Sequence, residues 1–307
     1  MNKATTSLKQ QTIGHAVSCS GVGVHSGKKA NLTIKPAPAN HGIRFVRTDL
    51  PGTPMISALF NQVVDTSLAT VIGSDGCIVS TIEHLMAALS ALGIDNAIIE
   101  LDAYEMPIMD GSAGPFFELL EHAGLEEQEA DRCFFIINEA FELREGDKFV
   151  GAYPHAGRKL SCTIEYDHPL IQTQSITVDL DEQVFGKEIA SARTFGFMHE
   201  VEMMKRFGLA RGGNLDNAIV IDREDVLNPG GLRFADEFVR HKLLDCIGDF
   251  SLLGMPIVGH LVTHRSGHAF NHAFLENLFQ NKSNWQACPI DTRFLSTTPA
   301  QPKALAI

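Results

Sequence analysis

Apolar and polar residues alternate in short stretches early in the chain. Clusters of Pro, Gly and Asn separate these stretches and predict strands at 30–35, 42–47 and 67–72. The period changes near Thr81, where Ile82, Leu85, Met86, Leu89 and Leu92 follow helical spacing until Gly93 stops them. A strand is expected at 96–101, a turn at 110–115 and a second helix at 116–123 ended by Gly124, with the acidic run 126–131 as a linker. The second part repeats the plan, with strands at 133–143, 148–153, 159–166 and 175–179, a helix at 199–207 and a strand at 218–221. A longer helix at about 233–253, a strand at 257–263, a Ser266-Gly267 turn and a helix from Ala269 close it. Strand, Gly-Ser-type turn and Phe-rich helix recur at 96–123 and 256–280, which suggests a duplication. The pattern predicts an α+β protein of two domains, 1–127 and 132–307, with helices packed against sheets.

Composition narrows the classes. With 44% hydrophobic and 20% charged residues the chain reads as a soluble globular protein. Nothing in it reads as a signal segment or an integral membrane segment, so a cytoplasmic location is expected. A net charge of −12 speaks against a nucleic-acid partner and leaves room for an anionic small ligand where Arg240, Lys242 or Arg265 gather. Lys28 and Lys29 read as solvated charges. The six cysteines (19, 77, 133, 162, 246 and 288) form no CxxC pair, which argues against a disulfide framework and a cysteine zinc site.

The chemistry gathers at a few places. His241, Asp245 and Asp249 are spaced i, i+4 and i+8, so a helix stacks them on one stripe. An imidazole and a carboxylate one turn apart can grip the same metal ion. Glu83-His84 offers a third ligand with a carboxylate beside it, the pairing of a ligand and a general base. The same residues fit a bland alternative: Ser80-Thr-Ile-Glu83 has the form of a capping box, with Glu83 returned to the Ser80 N–H. His84, His241 and Asp245 would leave an open fourth position, the composition of a catalytic zinc site that ferrous iron would also accept. Ser266-Gly-His268 places a histidine on a turn, either as a helix-capping group or as an imidazolium that Asp249 orients. Gly21-Val-Gly-Val-His25-Ser-Gly27 fits neither phosphate-loop fingerprint and reads as a glycine-rich hairpin. His199-Glu-Val-Glu-Met203 lacks the second histidine of a metalloprotease helix. The Met and Phe residues from Phe195 to Phe207 suit either core packing or a passage for an acyl chain.

Together these residues resemble the UDP-3-O-acyl-N-acetylglucosamine deacetylases of bacterial lipid A synthesis. The resemblance runs through the segment 21–29, Thr81-Ile-Glu-His84, Met109-Asp-Gly-Ser-Ala113 and Ala192-Arg-Thr-Phe-Gly-Phe197. It continues through 233–242, Asp245, Gly248-Asp249 and Ser266-Gly-His268. It implies two domains of similar layout, each a β-sheet layered with a pair of helices, with the active site between them. It also implies hydrolysis of the N-acetyl group of UDP-3-O-[(3R)-3-hydroxyacyl]-N-acetylglucosamine, releasing acetate, as the committed step of lipid A synthesis. One Zn²⁺ per chain, with Fe²⁺ as the alternative, would be held by His84, His241 and Asp245. Glu83 would be the base, His268 oriented by Asp249 its partner, Thr194 an oxyanion contact and Lys242 a substrate contact. His25, Phe195, Met198 and Arg265 would line the substrate. A monomer is expected. The competing readings are a zinc amidohydrolase for another acylated sugar nucleotide and a non-catalytic, metal-dependent binding protein; the latter has no need of Glu83.

Overall fold

In the computed structural model, which describes residues 7–289, six helices accompany the strands: α1 Glu83–Leu92, α2 Gly114–Ala123, the single turn α3 Glu182–Val184, α4 Met198–Arg206, α5 Glu237–Ser251 and α6 His268–Gln280. The outer ends of the two expected domains, 1–6 and 290–307, lie outside the described residues. Two sheets share one strand order. In the first, Val17–Val22, Lys29–Pro36, Ala97–Leu101, Ile43–Arg47 and Met55–Ser57 lie side by side. In the second the order is Phe141–Glu145, Lys148–Tyr153, Ile257–His264, Arg158–Glu165 and Thr173–Asp179, with Phe134–Ile137 and Trp285–Cys288 joined at its margin. In both, the central strand runs antiparallel to one neighbour and parallel to the other. A helix precedes that strand and another follows it, α1 and α2 in the first half, α5 and α6 in the second. The suggested duplication is therefore a repeated topology, and the fold is α+β.

Each half carries an insertion at the same point, before its first long helix. The first is a three-stranded meander of Val63–Asp65, Val71–Ser74 and Cys77–Ser80. The second spans 182–226 and holds α3, α4 and a small sheet of Phe195–Phe197, Ile219–Asp222 and Asp225–Val226.

Three expectations need correction. The single strand expected at 133–143 is two, Phe134–Ile137 and Phe141–Glu145, because the intervening Asn138 and Glu139 N–H groups turn to the Asn284 carbonyl. The strand expected at 67–72 begins later, at Val71, since the Asp65 side chain holds Ser67 in a turn. The acidic run is itself a strand, Leu125–Asp131, paired antiparallel with Lys9–Ile13. Its charges face solvent, which hides the strand from a hydrophobic-period reading.

One continuous apolar core runs through both halves, from Leu32, Ile99 and Leu85 to Leu244, Leu261 and Phe274. Helices α1 and α5 lie at its centre and pack on each other. Of α1 only Ser90, and of α5 only Arg240, Lys242 and Ser251, escape full burial. A helix buried on every face is expected to be apolar all round, so its ionisable residues stand out. The crossing is close: a Cβ on Gly248 would lie 2.1 Å from the Glu83 carbonyl oxygen. Among the described residues no helix is long and apolar enough to cross a membrane.

Because the atom in the way is backbone, Gly248→Ala should force the helices apart and lower the thermal midpoint by about 5–10 °C, about 2–3 kcal/mol of overpacking. An unchanged midpoint in a thermal melt would show that the crossing has slack.

Candidate metal centre

The crossing places the start of α1 against the middle of α5. Glu83 and His84 are the first two residues of α1, and His241, Asp245 and Asp249 descend one stripe of α5. One donor atom from each of His84, His241 and Asp245 lies within 4.8 Å of the other two, and all three residues are buried. Asp245 Oδ1 is 3.3 Å from His241 Nε2 and 3.7 Å from His84 Nε2, and the imidazole planes stand at 89°.

The hydrogen bonds fix which atoms face the cluster. His241 Nδ1 donates to the Ala192 carbonyl at 3.0 Å, so Nε2 presents a lone pair to Asp245. Lys242 Nζ donates to Asp245 Oδ2 at 2.8 Å, leaving Oδ1 for the centre. A lone pair turned on a carboxylate oxygen is repulsive unless a cation lies between them. Burial pushes the His84 imidazole down to about 3 and also lowers His241. At Asp245 burial acts upward, but His241 and Lys242 outweigh it and hold the carboxyl well below the usual carboxylate range. All three groups are thus held in the deprotonated form a metal requires. Two nitrogens and an oxygen suit a metal with an open position.

Glu83 does not close a capping box. Its Oε2 accepts from the Thr70 N–H at 3.1 Å, while the Ser80 N–H is committed to the Tyr104 carbonyl. Tertiary contact has replaced the local bond, and Glu83 is turned into the site. Burial pushes its carboxyl up to about 7, with His268 pulling the other way. This outweighs the preference of a helix N-terminus for the ionised form.

His268 opens α6, with Nε2 3.9 Å from Glu83 Oε1 and Nδ1 2.9 Å from Asp249 Oδ2. Burial alone would lower this imidazole; Asp249, by charge and hydrogen bond, raises it to about 10. Asp249 also accepts from the Thr70 hydroxyl at 2.6 Å and from Asn271 Nδ2 at 2.8 Å. A carboxyl that titrates near neutrality beside an imidazole charged at pH 7 has the chemistry to serve as a base with an acid partner.

Thr194 is tied into the same region from the second insertion. Its N–H donates to the Gly111 carbonyl at 2.8 Å, two residues beyond the Ala192 carbonyl that holds His241. Gly111, at φ 86°, leaves no room for a side chain, since a Cβ would lie 2.0 Å from the Asn217 carbonyl oxygen. The Phe195 ring lies 5.5 Å from Lys242 Nζ and 6.5 Å from the His241 ring. Arg265 and Lys242 line a common cavity of about 300 Å³ with Tyr166 and Ser266. Arg265 also faces Asp147 and Glu165 at 3.5 and 3.8 Å. Met198 begins α4, none of whose residues is buried, so core packing does not account for Met203 and Met204, whereas Phe195 and Phe197 do pack on the core. Phe207 beyond it is 78% exposed. His25 sits farther round, on the hairpin loop after Val17–Val22, its N–H on Glu105 and its carbonyl accepting from the Arg211 N–H. Among the described contacts it touches none of the metal trio.

Thr70, Asn271 and the Ala192 carbonyl are hydrogen-bond partners of the candidate site residues that sequence reasoning missed. Asn271 was within reach, lying one helical turn after His268; Thr70 and Ala192 come from the insertions and leave no local signal.

The family model described as UDP-3-O-acyl N-acetylglycosamine deacetylase matches residues 10–280. The chain is similar to the UDP-3-O-acyl-N-acetylglucosamine deacetylase of Myxococcus xanthus (strain DK1622), 50% identical over 290 residues that cover 94% of this chain and 92% of the relative. It is 49% identical over 281 residues to the protein of the same name from Acidithiobacillus ferrooxidans, covering 91% and 92%. For that of Syntrophus aciditrophicus it is 46% identical over 276 residues, covering 90% and 88%.

Protein dialysed after loading with a divalent metal should keep one ion per chain, Asp245→Ala should lose it, and Glu83→Gln should keep it. Elemental analysis decides this: loss of the ion from Glu83→Gln would make Glu83 a ligand instead of a neighbour.

Proposed function

The chain belongs to the UDP-3-O-acyl N-acetylglycosamine deacetylase family, a family of metal-dependent enzymes, and from that premise we propose how its own residues carry out the deacetylation. The reaction is hydrolysis of the N-acetyl group of a UDP-linked, 3-O-acylated N-acetylglucosamine, a step of lipid A synthesis that releases acetate. His84, His241 and Asp245 hold one Zn²⁺, with Fe²⁺ the alternative. The observation that carries this reading is the convergence of three deprotonated donor atoms, with His241 Nε2 aimed at Asp245 Oδ1 from 3.3 Å. When bound, the metal polarises the acetamide carbonyl and acidifies the attacking water.

Glu83 takes the proton from that water. His268, charged through its bond to Asp249, stabilises the oxyanion and delivers a proton to the departing amine. Thr194 adds a contact to the oxyanion. Lys242 positions the substrate, its charge next to the centre and to the cavity it lines with Arg265. Phe195 and Met198 border the passage for the 3-O-acyl chain, and the half-buried and exposed Phe197, Met203, Met204 and Phe207 supply its apolar wall. His25 contacts the substrate from the first-half loop. The two domains, 1–127 and 132–307, act as a monomer in the cytoplasm.

Acetate release from the UDP-linked substrate tests this reading. Chelation should abolish it, Zn²⁺ should restore it, and Glu83→Gln should lower turnover about 10²–10⁴-fold. Release by demonstrably metal-free protein would contradict the assignment. Because the base must be ionised and the acid protonated, kcat/KM should rise through the Glu83 ionisation and fall through that of His268. In the metal-free site the two groups stand at about 7 and about 10, and the charge of a bound metal draws both limbs below those values. A substrate without the 3-O-acyl chain should be processed far less efficiently; equal kcat/KM for both would leave the passage without a purpose.

A further inference from the structure

Thr70 stands just before the strand Val71–Ser74 of the first insertion and is 2% exposed. All of its polar groups are engaged at the site. Its hydroxyl donates to Asp249 Oδ1 at 2.6 Å and lies 3.3 Å from His268 Nδ1. Its N–H donates to Glu83 Oε2 at 3.1 Å. Its carbonyl accepts from the Thr81 and Ile82 N–H groups at 3.1 and 3.4 Å, holding the chain that leads into α1.

Asp249 shows why the hydroxyl matters. Its Oδ2 is shared by His268 Nδ1 at 2.9 Å and Asn271 Nδ2 at 2.8 Å. With that oxygen alone held, the carboxylate could turn about its own axis and carry the imidazole with it. Thr70 holds the other oxygen. We infer that Thr70 is a positioning residue for the deacetylation: its hydroxyl fixes the Asp249–His268 pair and its N–H fixes Glu83, so one side chain and its own backbone set the base and the acid relative to each other. This rests on the reading of Glu83 and His268 as base and acid. The hydroxyl's share is separable from the backbone's, because a side-chain substitution leaves the N–H and carbonyl in place.

The test is steady-state kinetics of acetate release with metal content measured in parallel. Thr70→Val keeps shape and removes the donor, and should lower kcat about 10–100-fold with KM within about twofold and the ion retained. Thr70→Ser restores the donor and should recover kcat to within about threefold of the parent. A merely structural role would not give this split, since serine loses the methyl that packs and keeps only the bond. Wild-type kcat in Thr70→Val, or Thr70→Ser as slow as Thr70→Val, would overturn the inference. If the valine variant does not fold, Thr70→Ala is compared with Thr70→Ser in its place. Glu83→Gln and Asp249→Asn serve as references. If they retain full kcat, the base and acid assignment falls and the inference with it; if they lose kcat while Thr70→Val does not, the inference alone falls.

Discussion

The close crossing of α1 and α5 is the constraint on which the rest depends. With Gly248 against the Glu83 backbone, two helices from different halves come near enough to pool their polar side chains. Any larger residue would separate the contributors of one centre: Glu83 and His84 on one side, His241, Asp245 and Asp249 on the other. The repeated topology supplies the frame, since each half presents its first long helix to the other. The insertions then close the site from two directions, bringing Thr70 to Glu83 and Asp249 and the Ala192–Thr194 segment to His241.

Burying so many ionisable groups is costly unless each is paired, hydrogen-bonded or bound to an ion. Here the requirement divides the site into two parts. The trio is driven to its deprotonated forms by burial of the imidazoles and by the pairing of Asp245 with His241 and Lys242. In the second part the same burial lifts Glu83 toward neutrality, while Asp249 overrides burial at His268. The two parts touch through Asp245 and Asp249 on one helical stripe, which brings a carboxyl, a charged imidazole and three deprotonated donor groups together at the crossing.

Much of this was legible in the sequence wherever the geometry is local. The stripe at 241, 245 and 249 follows from the helical repeat, and Gly93 and Gly124 end the helices where the pattern breaks. Interactions set by tertiary closure were not. Ser80 and Glu83 have the letters of a capping box, yet Thr70 offers the N–H that Glu83 takes. The long strand expected at 133–143 is apolar on both sides of Asn138-Glu139 but changes partners there. The ribbon formed by Lys9–Ile13 and Leu125–Asp131 is held by backbone pairing and contacts such as Lys9–Asp131, so no apolar period marks its acidic strand. Residue types with the means to do chemistry were visible; the Thr70 hydroxyl and N–H and the Ala192 carbonyl that hold them in place were not.

The central claim is that the helix crossing creates a centre in which His84, His241 and Asp245 bind the ion and Glu83 stands beside it unbound. Anomalous diffraction at the zinc edge from crystals of the Zn²⁺-loaded protein tests it directly. One peak is expected about 2.0–2.2 Å from His84 Nε2, His241 Nε2 and Asp245 Oδ1, with the Glu83 carboxylate outside that shell and still hydrogen-bonded to Thr70. A peak ligated by Glu83 in place of one of the three, or lying away from the crossing, would contradict it.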